Sequence, residues 1–271
     1  MEMVDKINFK PSSLGKRLKS MLKVDFRRMF TMPLFYVIIG ICFIIPILIL
    51  VMTTAMDGTV RVDPNTGIAT TIEAFDNTWQ IIGSISSENS SINMSLTGMC
   101  NINILYFLMA VLICIFIAGD FRRGYSKNLF AVRSKKNDYV ISKTLIGFIV
   151  GICMLISFFV GAVLGGFISG LPFDSGTAGT SGIVMCLLSK MFLTAVFAPI
   201  YVLMSVIGKQ KLWLSLLASL CVGMLFFNIV PMMTPLNSST LNVILCLAGG
   251  VLFSIGIGTI SNKVLSKTSL V

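Results

Sequence analysis

The chain has no histidine among its 271 residues. That excludes H-E-x-x-H metalloproteases, Ser–His intramembrane proteases and most metal-dependent membrane enzymes. A phosphate loop is missing as well. The only Gly-Lys pairs, Gly15 with Lys16 and Gly208 with Lys209, run on into Arg17 and Gln210. Neither has the following Ser/Thr that would hold magnesium, nor the upstream glycine spacing. Acids are scarce, 11 against 21 Lys and Arg. The Ala-Gly-Asp of Ala118, Gly119 and Asp120 has no second acid within any apolar block, so paired-carboxylate chemistry lacks its partner. The seven cysteines form no C-x-x-C and are spread over the apolar blocks; buried thiols are the expectation. Neither a catalytic residue nor a metal site is assigned, and no cofactor is expected on this chain.

What is present is apolar sequence. Hydrophobic residues make up 55% and charged residues only 12%, about half the charge of an ordinary soluble domain. The apolar residues are gathered into six blocks, at 33–54, 99–119, 145–168, 182–207, 212–230 and 241–260. Each approaches the roughly 20 residues a helix needs to cross about 30 Å of hydrocarbon. The blocks are continuous rather than alternating, which excludes spanning strands. The expectation is an all-α polytopic membrane protein with six transmembrane helices. The first apolar block is too long for a signal-peptide core.

All but two of the 21 cations fall on one side of such a fold: in 1–32, 121–143, 209–211 and 263–267. Excess Lys and Arg marks cytoplasmic segments, so both termini are expected inside the cell. The loop 56–98 then faces outward. The net charge of +10 is a topology signal and gives no support to nucleic-acid binding.

Two parts are expected, an N-terminal arm 1–32 and a spanning domain 33–271. In the arm, Leu14, Leu18, Met21, Leu22, Phe26 and Met29 share one side of a helix, with Lys16, Lys23, Arg27 and Arg28 elsewhere around it. Such a helix is suited to the membrane interface, and Pro33 breaks it from the first span. In the outer loop, Thr70 and Glu73 have capping-box spacing, and Ile72, Phe75, Trp79 and Ile82 form one helical face. A short outer helix over the span mouths is expected, either a lid that meets substrate or a packed cap. Gly147, Gly151, Gly161 and Gly165 make a small-residue stripe for close helix approach, inside the chain or against a second copy. Lys190, the one ionisable group well inside an apolar block, is expected near the outer edge of the membrane with its amine reaching the headgroups.

The connection 120–143 between the second and third blocks holds the most specific pattern. Asp120 is followed by Arg122 and Arg123, Gly124 and Tyr125, Lys127 and Asn128, and an apolar turn at Leu129 and Phe130. Val132 and Arg133 complete it, with Tyr139 and Lys143 beyond. Tyr125, Leu129 and Val132 are spaced to share a helical face that could enter an apolar groove. This order resembles the first cytoplasmic loop of permease subunits of type 2 ATP-binding-cassette exporters. There an acid precedes Gly-Thr, a short coupling helix follows, and a lysine opens the third span. Asp120 stands here for the usual Glu and Tyr125 for the usual Thr. The large loop after the first span is similar to Gram-positive permeases that export antimicrobial peptides or confer immunity to them. The resemblance implies a dimer of permeases, identical or related, in the bacterial cytoplasmic membrane. It also implies two copies of a separate ATPase that holds ATP and magnesium. Gly124, Tyr125, Lys127, Asn128, Leu129, Phe130, Val132 and Arg133 would contact that ATPase, and Phe75, Trp79, Ile82 and Lys190 are candidates for substrate contact. The readings that need no such resemblance are a secondary carrier or channel without an ATPase, and a membrane sensor whose outer loop binds a ligand.

Overall fold

Pro33 sets the first boundary. Helix α1 (Leu14–Phe30) stops just before it, and α2 (Pro33–Ala55) begins on it, a first-turn position where the missing N–H is not needed. The computed structural model describes residues 13–62, 69–71, 75–83, 101–132, 136–174, 179–227, 230 and 233–267. After α2 come two short strands, β1 (Val60–Val62) and β2 (Ala69–Thr71), and a single 3₁₀ turn at Thr78–Ile81. The remaining helices are α3 (Ile104–Arg122), α4 (Tyr125–Val132), α5 (Lys136–Ser169), α6 (Gly179–Gly208), α7 (Leu212–Phe227) and α8 (Thr240–Lys267).

Among the described residues five helices are long and apolar enough to cross a membrane: α2, α3, α5, α6 and α8. The block expected to make a further span at 212–230 is described in part. Helix α7 accounts for 16 of its residues, Val230 is again helical, and residues 228–229 lie outside the described residues. Helix α5 runs well beyond its apolar block. Its 34 residues make about 51 Å, so its first two turns extend beyond any hydrocarbon slab that its apolar part could fill.

Those first turns of α5 gather both ends of the chain. Arg17 Nε of α1 lies 2.9 Å from Asp138 Oδ2, and Lys136 Nζ donates to the Leu265 carbonyl of α8 at 2.9 Å. Helix α1 and the last turn of α8 therefore sit at the same end of the bundle as α4. At the other end, β1 and β2 pair antiparallel, Val60 opposite Thr71. The outer helix expected across 72–82 is replaced there. Thr70 belongs to β2 and pairs with Arg61, Ile72 and Glu73 lie outside the described residues, and the following turn is 3₁₀. Asn77 caps that turn by accepting from Trp79 N at 3.0 Å.

Inside the bundle the glycine stripe of α5 works in two halves. A Cβ on Gly147 or Gly151 would stand 2.9 Å from Ile113 of α3 or Thr194 of α6. One on Gly161 would strike the Phe43 carbonyl oxygen beside Pro46 of α2, and one on Gly165 would stand 2.9 Å from Ile47 Cα. All four glycines serve contacts within this chain. Lipid chains are as apolar as leucine, so helices hold together in a membrane through such close packing and through polar contacts. Ser157 Oγ to the Ile39 carbonyl at 3.0 Å and Ser254 Oγ to the Ala195 carbonyl at 3.1 Å are contacts of the second kind. Large apolar side chains point the other way. Tyr36, Val37, Ile41, Leu48 and Met52 of α2, and Leu241, Ile244, Leu252 and Ile255 of α8, are exposed. Cys42, Cys114, Cys186 and Cys246 are buried, Cys153 is half-buried, and Cys221 departs from the expectation by facing outward on α7; Cys100 lies outside the described residues.

Gly161→Ala should lower the thermal stability of the purified protein in detergent by about 1–3 kcal/mol, the usual cost of overpacking. Gly256→Ala, on an open face of α8, should leave it unchanged. Equal effects of the two substitutions would show that α2 and α5 are not in the contact described.

Candidate functional site

An acid on an apolar helix face is expensive unless a cation meets it. Asp25 occupies that position on α1, one helical turn from Met21 and one from Met29, all three buried. Its partner comes from α5. Lys143 Nζ lies 2.8 Å from Asp25 Oδ1 and 2.7 Å from Asp120 Oδ2 at the end of α3. Arg28 of α1 closes the group, pairing with Asp120 Oδ1 and standing 3.6 Å from Asp25. The four formal charges cancel, and the Asp25, Asp120 and Lys143 side chains are fully buried.

Neutral groups fill the remaining positions. Ser142 Oγ donates to Asp25 Oδ2 at 2.8 Å, and Tyr139 OH donates to Asp120 Oδ2 at 3.1 Å. Aromatic rings line the cations, with Lys143 Nζ 4.1 Å from the centre of Phe116 and Arg28 4.0 Å from that of Tyr125. Burial by itself lowers the Arg28 pKa, and the neighbouring Asp120 carboxylate outweighs it, so the guanidinium ends above its ordinary value. Burial first, then the charge of Asp25, raises the Tyr125 phenol. Arg28 is thus a fixed cation resting on a neutral ring. The arrangement suits mechanical linkage rather than proton transfer: three helices and the start of α4 meet at one neutral knot. Among the described residues no group of His, Cys, Asp and Glu stands close enough to hold a metal ion.

The short helix expected in this connection is present as α4, which follows Gly124 in a left-handed conformation at φ 71°, where only glycine is unstrained. Its faces are assigned differently from the sequence expectation. Tyr125 turns inward to Arg28, and Leu129 is half-buried against the chain's own core. Phe130 meets Tyr139 edge-on at 5.4 Å. Lys127, Asn128 and Ala131 are the exposed residues. The Val132 side chain, and Arg133 altogether, lie outside the described residues. The expected pairing of Tyr125 with Leu129 on an outward face rested on spacing alone, which cannot say which way a face points.

At the opposite end the candidate substrate residues are packed within the chain. Trp79 stacks on Phe159 at 6.0 Å, and its Nε1 donates to the Phe173 carbonyl at 3.1 Å. Phe75 and Ile82 are buried. Lys190 corrects the sequence expectation most directly. It is 1% exposed, and its amine turns inward, donating to Thr234 Oγ1 at 2.8 Å and Asn103 Oδ1 at 3.2 Å. Distance along the helix suggested the membrane edge, but the side chain is directed at the bundle interior, where two neighbouring segments supply acceptors.

No family model matches this chain, and neither a curated protein nor a solved structure matches it.

Two outcomes follow from this geometry. Lys143→Met leaves two buried carboxylates with one cation and should cost about 3–5 kcal/mol, read as a sharp fall in melting temperature and in folded yield. Lys190→Met removes a buried amine and leaves the Asn103 acceptor unpaired, costing about 1–3 kcal/mol. A Lys190 variant as stable as the parent protein would mean that the amine is not held as described.

Proposed function

We propose that the chain is the membrane-spanning permease subunit of an ATP-driven exporter whose ATPase is a separate polypeptide. The observation that carries this reading is the attachment of α4. A short helix between two spans exposes Lys127, Asn128 and Ala131 on one side, while its other side rests on the ionic knot through Tyr125. A partner pressing on the exposed side would displace α1, α3 and α5 together, because Lys143 and Arg28 tie all three. The loop's resemblance to type 2 ATP-binding-cassette permeases points the same way, and the chain has no phosphate loop of its own.

In this reading α7 belongs to the fifth of six spans. The basic end that holds α1, α4 and the last turn of α8 faces the cytoplasm, in agreement with the positive-inside rule, and the membrane is the bacterial cytoplasmic membrane. Two permeases, identical or related, pair with two ATPases that bind ATP and magnesium. ATP-driven closure of the ATPases pushes α4 and rocks the spans between inward- and outward-facing states. The cargo is hydrophobic or amphipathic, with an antimicrobial peptide as the class to try first. The permease supplies the path and no covalent chemistry.

Inverted vesicles that contain the chain and its ATPase should accumulate a labelled amphipathic peptide with Mg-ATP, and not with a non-hydrolysable analogue. Lys127→Glu combined with Ala131→Asp changes only exposed positions, so insertion should be normal while ATP-driven uptake falls roughly tenfold or more, the effect of about 1.4 kcal/mol at the contact. Uptake driven by an ion gradient without any ATPase would overturn the reading in favour of a secondary carrier.

A further inference from the structure

A cavity of about 630 Å³ opens beside the ionic knot, between the end of α1, the second half of α3 and the start of α7. Its charged lining consists of Arg28, Arg122 and Arg123, with no carboxylate in the wall. Arg28 lines the cavity while its guanidinium is paired with Asp120 and Asp25 of the knot. Arg122 and Arg123 are exposed and make no ion pair among the described residues. Two arginines without an ion pair, beside a third whose charge is already met, in a wall that holds no carboxylate, make an incomplete site, since guanidinium groups match phosphate oxygens in number and geometry.

The rest of the wall decides which phosphate fits. Met32, Pro33, Phe116 and Leu212 are apolar, and the cavity lies where α1 gives way to α2. The exposed residues Tyr36, Val37 and Ile41 of α2 continue outward from there. Free phosphate gains nothing from an apolar wall at the membrane boundary. A phosphodiester carrying acyl chains uses both parts, its oxygens on the arginines and its first methylenes along Met32 and Leu212. We infer that this cavity binds the headgroup phosphate of an anionic phospholipid. Basic pockets between spanning helices are a recurrent form of such recognition. The inference does not depend on the transport reading. A bound lipid would sit against the knot on the side where Arg28 lines the cavity.

The test uses the purified full chain in neutral detergent, titrated with dioctanoyl phosphatidylglycerol, dioctanoyl phosphatidylcholine or inorganic phosphate. Melting temperature and native mass spectrometry are the two readouts. Phosphatidylglycerol should raise the melting temperature and give a one-to-one adduct, with the other two much weaker. Arg122→Gln with Arg123→Gln should weaken phosphatidylglycerol binding roughly tenfold or more. Lys263→Gln with Lys267→Gln removes the same charge at positions that do not line the cavity and should not. Arg122→Gln alone gives an intermediate loss and a second route to the result should the double variant prove unstable. Equal binding of phosphatidylcholine, or undiminished binding by the double arginine variant, would overturn the site. An equal response to inorganic phosphate would overturn the lipid assignment and leave a free-anion site.

Discussion

Lys143 is held between Asp25 and Asp120, at 2.8 and 2.7 Å, with no exposure of any of the three side chains. The arrangement of the basic end depends on this contact. Removing any one partner leaves an uncompensated buried charge, so the α1, α3 and α5 segments must stay together or expose the group to water. Arg28 extends the constraint to α4 by resting on Tyr125. Ser142 donates to the remaining oxygen of Asp25, and Tyr139 adds a second donor to the Asp120 oxygen that meets Lys143, so no orphaned acceptor weakens the group. A basic amphipathic helix that could have floated on the membrane surface is thereby made a working part of the bundle.

The bundle itself is assembled on a different principle. Within hydrocarbon, apolar burial gives little preference for one helix neighbour over lipid, so backbone approach and hydrogen bonds select the partners. The α5 glycines admit α2 at one end and α3 with α6 at the other. Polar groups then join pairs of helices: Ser205 and Ser219 around Cys114 link α6 and α7 to α3, and Lys190 links α6 to Asn103 and Thr234. Helix α8 is held along a narrow stripe including Cys246, Gly250, Ser261 and Leu265, which leaves most of its apolar surface outward. The basic end is thus held by ion pairs and the interior by small residues and short polar contacts.

Much of this was legible in the sequence. Apolar block length located the helices because a helix must supply all its own backbone hydrogen bonds in hydrocarbon. Gly124 followed by an apolar turn located α4, and the period of the α5 glycines located its contacts. The single acid Asp25, among the apolar positions of an otherwise basic helix, was a signal for a buried cation elsewhere in the chain, although nothing in its local sequence names Lys143 as the partner. Other features depended on three-dimensional direction. The inward turn of Tyr125 and the interior position of Lys190 follow from where neighbouring helices lie, which periodicity does not encode. The ribbon at 60–71 overrode a capping pattern at Thr70 that is local and weak beside cross-strand pairing.

The central claim is that the knot makes α1 and α4 move as one although a whole span and more of sequence separates them. Hydrogen–deuterium exchange on the Asp25→Asn protein tests this directly, because the substitution lies on α1, outside the sequence of α4. If the knot transmits as described, amides of α4 from Ser126 to Ala131 exchange faster together with those of α1, while α8 is unchanged. Faster exchange confined to α1, with α4 protected as in the parent protein, would contradict the account.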